Sequence, residues 1–478
     1  SQGIERIARR GPPHVEPIHV LAACAVFVGR QLSVAPDPLA IAVRLRETGA
    51  AHVALLHTSD RTPGTFSRFS FVACNPDRKT HALDPLVDDP DFAATKVVGT
   101  FGNVPRWIGA LPYDAFRTLE RPQWVRPDTR PSALLDRPIW LRYPACFVID
   151  HTEGRVFAVA ITQEALRNLL VHLGSAPLED PRSTIFRNAT RIEVAESDPS
   201  SLHIDRIRAA KELINRGDLY QVNLARRLRV ALVQGTPLDV YARMSRAAPS
   251  TFGACLYLER DLAIASTSPE LLLQALTAAP PNSEVNSYRF ERIYTCPIKG
   301  TRPRGRGADE DRQLVRELDE DPKENAELTM IIDVERNDLG RVATPGSVRV
   351  LRGPEVVTHR TIHHREALLT AHTKISCSRL DVLEAMLPSG SVTGAPKIRA
   401  MEVIASLEAH RRGLYTGGFG YMDHGGSMNL AMAIRTVVFQ GPDGEYFTGG
   451  GIVADSDPHR ELEETRWKAI QLEKLARS

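Results

Sequence analysis

Lysine is scarce in this chain: nine lysines stand against 51 arginines in 478 residues. One of the nine, Lys299, lies in Pro297-Ile298-Lys299-Gly300-Thr301, between a turn-forming proline and a flexible glycine. An amine held in a partly buried turn can give up its proton and act as a nucleophile near neutral pH. The always-protonated guanidinium of arginine cannot. A single lysine beside glycine is commonly just a solvated loop charge, so the reading turns on the residues around it.

Two acidic clusters read as halves of one site. Glu324 and Glu327 lie three residues apart at the start of a run that continues to Asp333, and Glu461 and Glu464 repeat the spacing near the C-terminal end. On a helix each pair shares a face. Converging carboxylates repel unless a cation stands between them, and an oxygen-only set suits Mg²⁺ holding waters and an anionic ligand. Two solvated helix faces would show the same spacing.

Between the clusters, Ser389-Gly390-Ser391-Val392-Thr393-Gly394-Ala395-Pro396-Lys397 runs into a helix-like segment. Backbone N–H groups and a helix N-terminus there can face an anion such as a carboxylate. Gly449-Gly450-Gly451 follows the strand-like Tyr446-Phe447-Thr448 and offers close backbone approach. Ile434-Arg435-Thr436 reads as strand and presents a guanidinium fork to a second carboxylate. Each glycine string is equally compatible with an ordinary tight turn.

The elements that must position these groups start with a strand-rich first 200 residues, as at Ala51 to Leu56, Phe69 to Ala73 and Ala145 to Ile149. Asp- and Pro-rich breaks at 84–91 and 122–131 read as surface loops, and so does the stretch 274–296. A polar stretch from Ser175 to Ser200 connects into a helix over Ile204 to Arg216. An apolar content of 42% at this length supports a large core in one interwoven domain or two subdomains. The net charge of +2, with acids and arginines interleaved, gives no case for nucleic acid. The six cysteines, Cys24, Cys74, Cys146, Cys255, Cys296 and Cys377, have neither metal nor disulfide spacing, which suits a reducing cytoplasm. No apolar stretch has the length of a membrane helix, and no secretory signal is evident.

A series of strings in fixed order carries a resemblance. They are Asp218-Leu219-Tyr220-Gln221-Val222-Asn223-Leu224, Ser268-Pro269-Glu270-Leu271-Leu272, the lysine turn, Ile332-Asp333-Val334-Glu335-Arg336-Asn337-Asp338-Leu339-Gly340-Arg341, the two glycine strings and Asp455-Ser456-Asp457-Pro458. Over roughly residues 200 to 475 the chain resembles the chorismate-utilising enzymes. The resemblance implies an α+β fold, with two large antiparallel sheets in a sandwich flanked by helices. It divides the chain into a flexible leader over 1–17, an N-terminal region over 18–200 that matches more weakly, and a chorismate-binding catalytic region over 201–478. Chorismate is then the implied substrate and Mg²⁺ the implied cofactor.

Two positions bear on which reaction the resemblance implies. Relatives that add water to chorismate carry a lysine base at the position of Gln221, a task a neutral amide cannot perform. Relatives that make anthranilate carry a small apolar residue at the position of Lys299. The resemblance therefore favours amination at C4, giving 4-amino-4-deoxychorismate for 4-aminobenzoate and folate. Amination at C2 with loss of pyruvate is the alternative, and a non-catalytic member stands behind it. On this resemblance Lys299 is the nucleophile at C2, Glu270 the acid that protonates the departing hydroxyl, and His364 a polar neighbour of the ring. Mg²⁺ falls to Glu327 and Glu464, with Glu324 and Glu461 close by or bonded through water. Substrate contacts fall to Gln221, Ser391, Thr393, Gly394, Tyr415, Arg435, Gly449, Gly450, Gly451 and Lys468, with Tyr415 and Arg435 on the enolpyruvyl carboxylate.

Two departures from the family pattern stand out. The histidine string is Ile362-His363-His364-Arg365-Glu366-Ala367 where relatives follow the histidine with Leu-Val-Ser, and spacing to Glu327 and Ser391 selects His364 over His363. Leu55-Leu56-His57-Thr58 replaces the Leu-Leu-Glu-Ser of tryptophan-regulated relatives. None of the six cysteines sits in a glycine-flanked nucleophile turn, so glutamine cannot be hydrolysed by this chain. The resemblance implies a separate glutamine amidotransferase subunit as the ammonia source.

Overall fold

A computed structural model describes residues 27–32, 37–60, 66–92, 103–117, 128–174, 190–277 and 288–477; the leader over 1–17 and Cys24 lie outside them. The strands of the first half read as nearly continuous apolar runs because both of their faces are covered. In Ala54–His57 and Phe69–Ala73, Leu55 and Val72 point to one core while Ala54, Leu56, Phe71 and Ala73 point to another. Ala145–Asp150 repeats the alternation, with Phe147 and Ile149 on the first side and Cys146 and Val148 on the second. A side-chain period of two with no polar face is the signature of a strand buried between layers.

The layers are two antiparallel sheets, of twelve and ten strands among the described residues. The core shared by Leu56, Phe71, Ile108, Ile139, Ile264, Phe419 and Val438 lies between them, since these residues come from strands of both. The outer face of the larger sheet packs on the helices Pro38–Glu47, Gln163–Leu173, Pro237–Ala247 and Pro458–Arg477. The outer face of the smaller sheet packs on the helices Pro322–Val342 and Arg379–Met386. This is the α+β sandwich flanked by helices. Strands from before and after residue 200 share both sheets: Ala54–His57 pairs with Phe252–Tyr257, and Pro105–Leu111 pairs with Gly418–Asp423. No helix among the described residues is long and apolar enough to cross a membrane.

The helix Pro322–Val342 is the element that matters most for the site. Asp321 caps it, accepting from Lys323 N at 3.0 Å and Glu324 N at 3.2 Å, and Pro322 fills the first turn where no N–H is needed. The Ser389 string lies against this helix so closely that a Cβ at Gly390 would stand 2.2 Å from Val334 Cγ1. Only glycine permits that approach.

Three local readings need correction. The two ends of the stretch 274–296 are strand rather than loop, with Leu271–Thr277 paired to Phe290–Cys296, while 278–287 lie outside the described residues. Phe290 and Ile293 fix this register by pointing into the core beside Leu273. The polar stretch before residue 200 contains a strand, Arg191–Glu196, paired to Gln221–Gln234, and the following helix begins at Ser200. Its exposed side chains hid it, since only Ile192 is buried. Arg435 is not in a strand: it stands between Met428–Met432 of the smaller sheet and Thr436–Gln440 of the larger, with φ +50°.

Candidate active site

Glu270 follows the strand Leu262–Ser268 and precedes Leu271–Thr277, at a point where the chain passes from the larger sheet to the smaller. Its carboxyl is buried and accepts from Ser391 Oγ at 2.9 Å. Burial pushes it up to about 7, against the opposing pull of Ser391, the Lys299 charge, the Ile298 backbone and Arg435. A carboxyl so poised holds a proton that it can release at neutral pH.

Lys299 stands in Ile298–Pro303, which pairs with Ile362–His372 and bulges at Gly300. Gly300 has φ +77°, and a Cβ there would lie 2.8 Å from Leu318 Cδ1 and 3.0 Å from Glu324 Oε2. The bulge therefore brings the lysine strand against the acidic helix. Among the described residues the Lys299 ammonium makes no hydrogen bond or ion pair, while its charge acts on Glu270 on one side and Glu464 on the other. A half-buried cation between two carboxyls, bonded to neither, is available to a ligand.

Strand alternation separates the two histidines. His363 is held by Thr358 Oγ1 at 2.9 Å and Asp311 Oδ1 at 3.0 Å. His364 turns the other way: its Nδ1 is 2.9 Å from Thr301 Oγ1, its Nε2 is buried without a partner, and Arg435 acts on it. Burial, Arg435 and His359 hold its pKa well below the usual imidazole range, so it is neutral. The Arg435 guanidinium makes no hydrogen bond or ion pair among the described residues, and burial lowers its pKa. An unmatched guanidinium beside an orphaned imidazole suits an anionic ligand with polar edges.

The four glutamates come together on the other side of Lys299. Burial, then Glu327, raises the pKa of Glu324; burial raises Glu461 against the Ser456 hydroxyl, and Glu464 adds to the rise. Glu464 goes the other way despite its desolvation, because Lys468 bonds it at 2.6 Å with Lys299 and Lys323 nearby. Lys323 Nζ stands 3.7 Å from Glu327 and 3.6 Å from Glu461. No three acidic, histidine or cysteine side chains among the described residues form a closed ligand cage. Repulsion between the four carboxylates and the two ammoniums drawn among them mark a place that calls for positive charge, and the all-oxygen donor set fits Mg²⁺.

The glycine string 449–451 is strand, not turn: it lies in Asp443–Ile452 and pairs with Asn223, Leu224 and Ala225. A Cβ on Gly450 would stand 3.3 Å from Glu461 Oε2 and one on Gly449 would stand 3.0 Å from the Tyr415 hydroxyl. Lys468 Nζ donates to Gly449 O at 2.9 Å. Gln221 is fully buried beside Gly451, with both amide atoms unpartnered. The Ser389 string divides its work. Ser391 faces Glu270, Thr393 Oγ1 donates to Ser389 O, and Gly394 pairs with Val222. At the helix N-terminus beyond it, Lys397 forms an ion pair with Asp338 at 2.9 Å and lines a groove of about 800 Å³ along Pro322–Val342.

Residues 71–474 match the profile of the chorismate binding enzyme family. The chain belongs to this family. It is 32% identical over 470 residues, 91% of each chain, to anthranilate synthase component 1 of Aquifex aeolicus. It is 36% identical over 365 residues, 75% of this chain and 74% of the relative, to aminodeoxychorismate synthase component 1 of Salmonella typhimurium. The structure of anthranilate synthase component I from Streptococcus pneumoniae matches with a TM-score of 0.71 at 27% identity, over 85% of this chain and 92% of that one. The chorismate-binding family thus accounts for the fold, and its relatives include enzymes of both names.

Several groups at the site were not singled out by sequence reasoning. Thr301 orients His364. Asp60 bonds His359 at 3.0 Å, and the His359 ring lies 5.5 Å from that of His364. Ser389 and Glu335 stand behind Ser391. Ser389 and Glu335 belong to two of the strings that carry the family resemblance, but nothing in their spacing points from one to the other.

Proposed function

We propose that this chain aminates chorismate at C4 to give 4-amino-4-deoxychorismate. The observation that carries the reading is the unpaired Lys299 ammonium beside a Glu270 carboxyl poised near neutrality. Chorismate is a dianion, and Arg435, Tyr415 and the open backbone of Gly449 to Gly451 supply partners for one of its carboxylates. Gln221, an amide, is no base for water, which counts against hydration.

Glu327 and Glu464, with Glu324 and Glu461 adjacent, would hold Mg²⁺. When bound the ion would neutralise the second carboxylate and ease departure of the hydroxyl. The chain's own residues then act in two displacements. With its extra proton released to solvent, the Lys299 nitrogen bonds C2 through its free pair, both ring double bonds shift, and the C4–O bond breaks. The Glu270 proton leaves with that oxygen as water. Ammonia bonds to C4, both double bonds return, and the C2–N bond breaks to restore the lysine amine. The proton lost by the new ammonium returns to Glu270, so one ammonia is consumed and one water released. Neutral His364 offers its Nε2 edge to the ring.

Ammonia is proposed to come from a separate glutamine amidotransferase, consistent with relatives named as component 1. Mass spectrometry of the product from chorismate, Mg²⁺ and ammonium tests the reading. A product that keeps the enolpyruvyl group supports it, and an ortho-aminobenzoate with free pyruvate overturns it in favour of amination at C2.

A further inference from the structure

Glu335 is a fully buried carboxyl that the mechanism above does not use. It lies on the inner face of Pro322–Val342, and the charged groups that act on it are Asp338 from its own helix, Lys397 from the helix Lys397–Leu407, and Glu270. Lys397 already bonds Asp338 at 2.9 Å, so the partner left for Glu335 is a hydroxyl. Ser389 Oγ donates to Glu335 Oε1, Ser389 Oγ and Ser391 Oγ are 2.9 Å apart, and Ser391 Oγ reaches Glu270 Oε1 at 2.9 Å. The second oxygen of Glu335 is buried without a partner.

Counting hydrogens along this chain gives a definite result. Three contacts of hydrogen-bond length join two carboxyls through two hydroxyls, and each contact holds one hydrogen. The hydroxyls supply two, so the third must sit on a carboxyl. With it on Glu335 the bonds run from Glu335 through Ser389 and Ser391 to an ionised Glu270. With it on Glu270 they run the other way to an ionised Glu335. Two ionised carboxyls would leave one contact without hydrogen and two like charges buried together, while two protonated ones would put the fourth hydrogen outside the three contacts, on an oxygen such as the unpartnered Oε2 of Glu335.

We propose that Glu335 is the proton partner of Glu270, the pair sharing a single proton through Ser389 and Ser391. Glu335 touches no substrate and is a positioning residue; the idea rests on Glu270 being the acid of the proposed reaction. At rest the shared proton sits on Glu335; as the hydroxyl departs it passes to Ser389, the Ser389 hydrogen to Ser391 and the Ser391 hydrogen to Glu270, which gives a proton to the leaving oxygen. No heavy atom is exchanged. Glu335 is left ionised until the proton released at C4 travels back. Burial raises both carboxyls to about 7, consistent with a pair that holds one proton near neutrality.

The test is a pH titration of the protonated-carboxyl infrared band of the metal-free, substrate-free chain. Difference spectra against Glu270→Gln and Glu335→Gln isolate the pair from Asp423 and Glu445, whose buried carboxyls also titrate near 7. The wild type should lose the two protons in two separated steps, and either glutamine variant should show one intermediate step displaced by about 1 pH unit or more from both. Ser389→Ala, which cuts the link while keeping both carboxyls, should draw the two steps together. An unmoved Glu270 step in Glu335→Gln overturns the proposal. So does a shift in Glu335→Gln with none in Ser389→Ala, since repulsion through space would then suffice. In turnover with ammonium, Glu335→Gln should lower kcat about tenfold or more with KM for chorismate little changed. A shared proton in a chain that does not aminate chorismate would retain the pair and sink the amination reading.

Discussion

Lys299 stands between two sets of carboxyls that solve the same electrostatic problem differently. Toward the Ser389 string, Glu270 and Glu335 are buried, and their partners are serine hydroxyls and, for Glu270, the Ile298 backbone. On the other side, Glu324, Glu327 and Glu464 are less buried, and with the buried Glu461 they repel one another and draw in Lys323 and Lys468. A dry carboxyl answers the cost of charge by keeping a proton, and a wetter cluster answers it by recruiting cations. The first arrangement suits proton transfer and the second suits an ion. One helix, Pro322–Val342, contributes to both: its first turn supplies Glu324, and a point three turns on supplies Glu335.

The sharpest way to break the comparison is to remove the proton from the dry side. Glu270→Gln keeps the shape and the Ser391 contact but holds no transferable proton, and amination should fall by about 10² to 10⁴ in kcat. Turnover with ammonium and chorismate checks it, and a variant within a few fold of wild type would remove Glu270 from the acid role.

On the wet side, Glu327→Gln and Glu464→Gln should each abolish Mg²⁺-dependent turnover while the chain stays folded by circular dichroism. EDTA should silence the wild type, and full activity after chelation would show that these carboxylates hold no essential ion. Arg435→Lys should act on binding more than on chemistry, raising KM for chorismate by about tenfold as a forked contact becomes a point charge. A change confined to kcat would place Arg435 elsewhere in the reaction.

The smallest effect concerns stability. Burial raises Asp423 and Glu445, outside the site, to about 7, above the range of an exposed carboxyl. A raised folded-state pKa means that the folded chain binds more protons, so this stabilisation is present in mild acid and is lost as pH rises through about 7. Denaturant midpoints should therefore fall between pH 5 and pH 8, and Asp423→Asn should flatten part of that slope. A midpoint that rises over this range would contradict the assignment.

Much of the site was legible because its residues sit in strings whose chemistry is local. Glu324 with Glu327, Glu461 with Glu464, and the glycines around Ser391 declare themselves within a turn or two of chain. The link between Ser389 and Glu335 spans 54 residues and depends on Gly390 letting the backbone reach the helix, a packing fact with no periodic trace. The Asp60 and His359 pair spans 299 residues and was invisible for the same reason. Arg435 misled because the apolar residues on both sides look like one strand, whereas the chain turns there from one sheet into the other. The sandwich itself was implied by resemblance; the alternation of Leu55 and Leu56 between two cores is its physical basis.

The claim at the centre is that Lys299 forms a bond rather than balancing a charge. Comparing Lys299→Arg with Lys299→Ala separates the two, since guanidinium keeps the charge but is a very poor nucleophile. Formation of 4-amino-4-deoxychorismate from chorismate and ammonium should drop by orders of magnitude, and equally, in both variants. An arginine variant with near wild-type formation of that product would contradict the covalent mechanism.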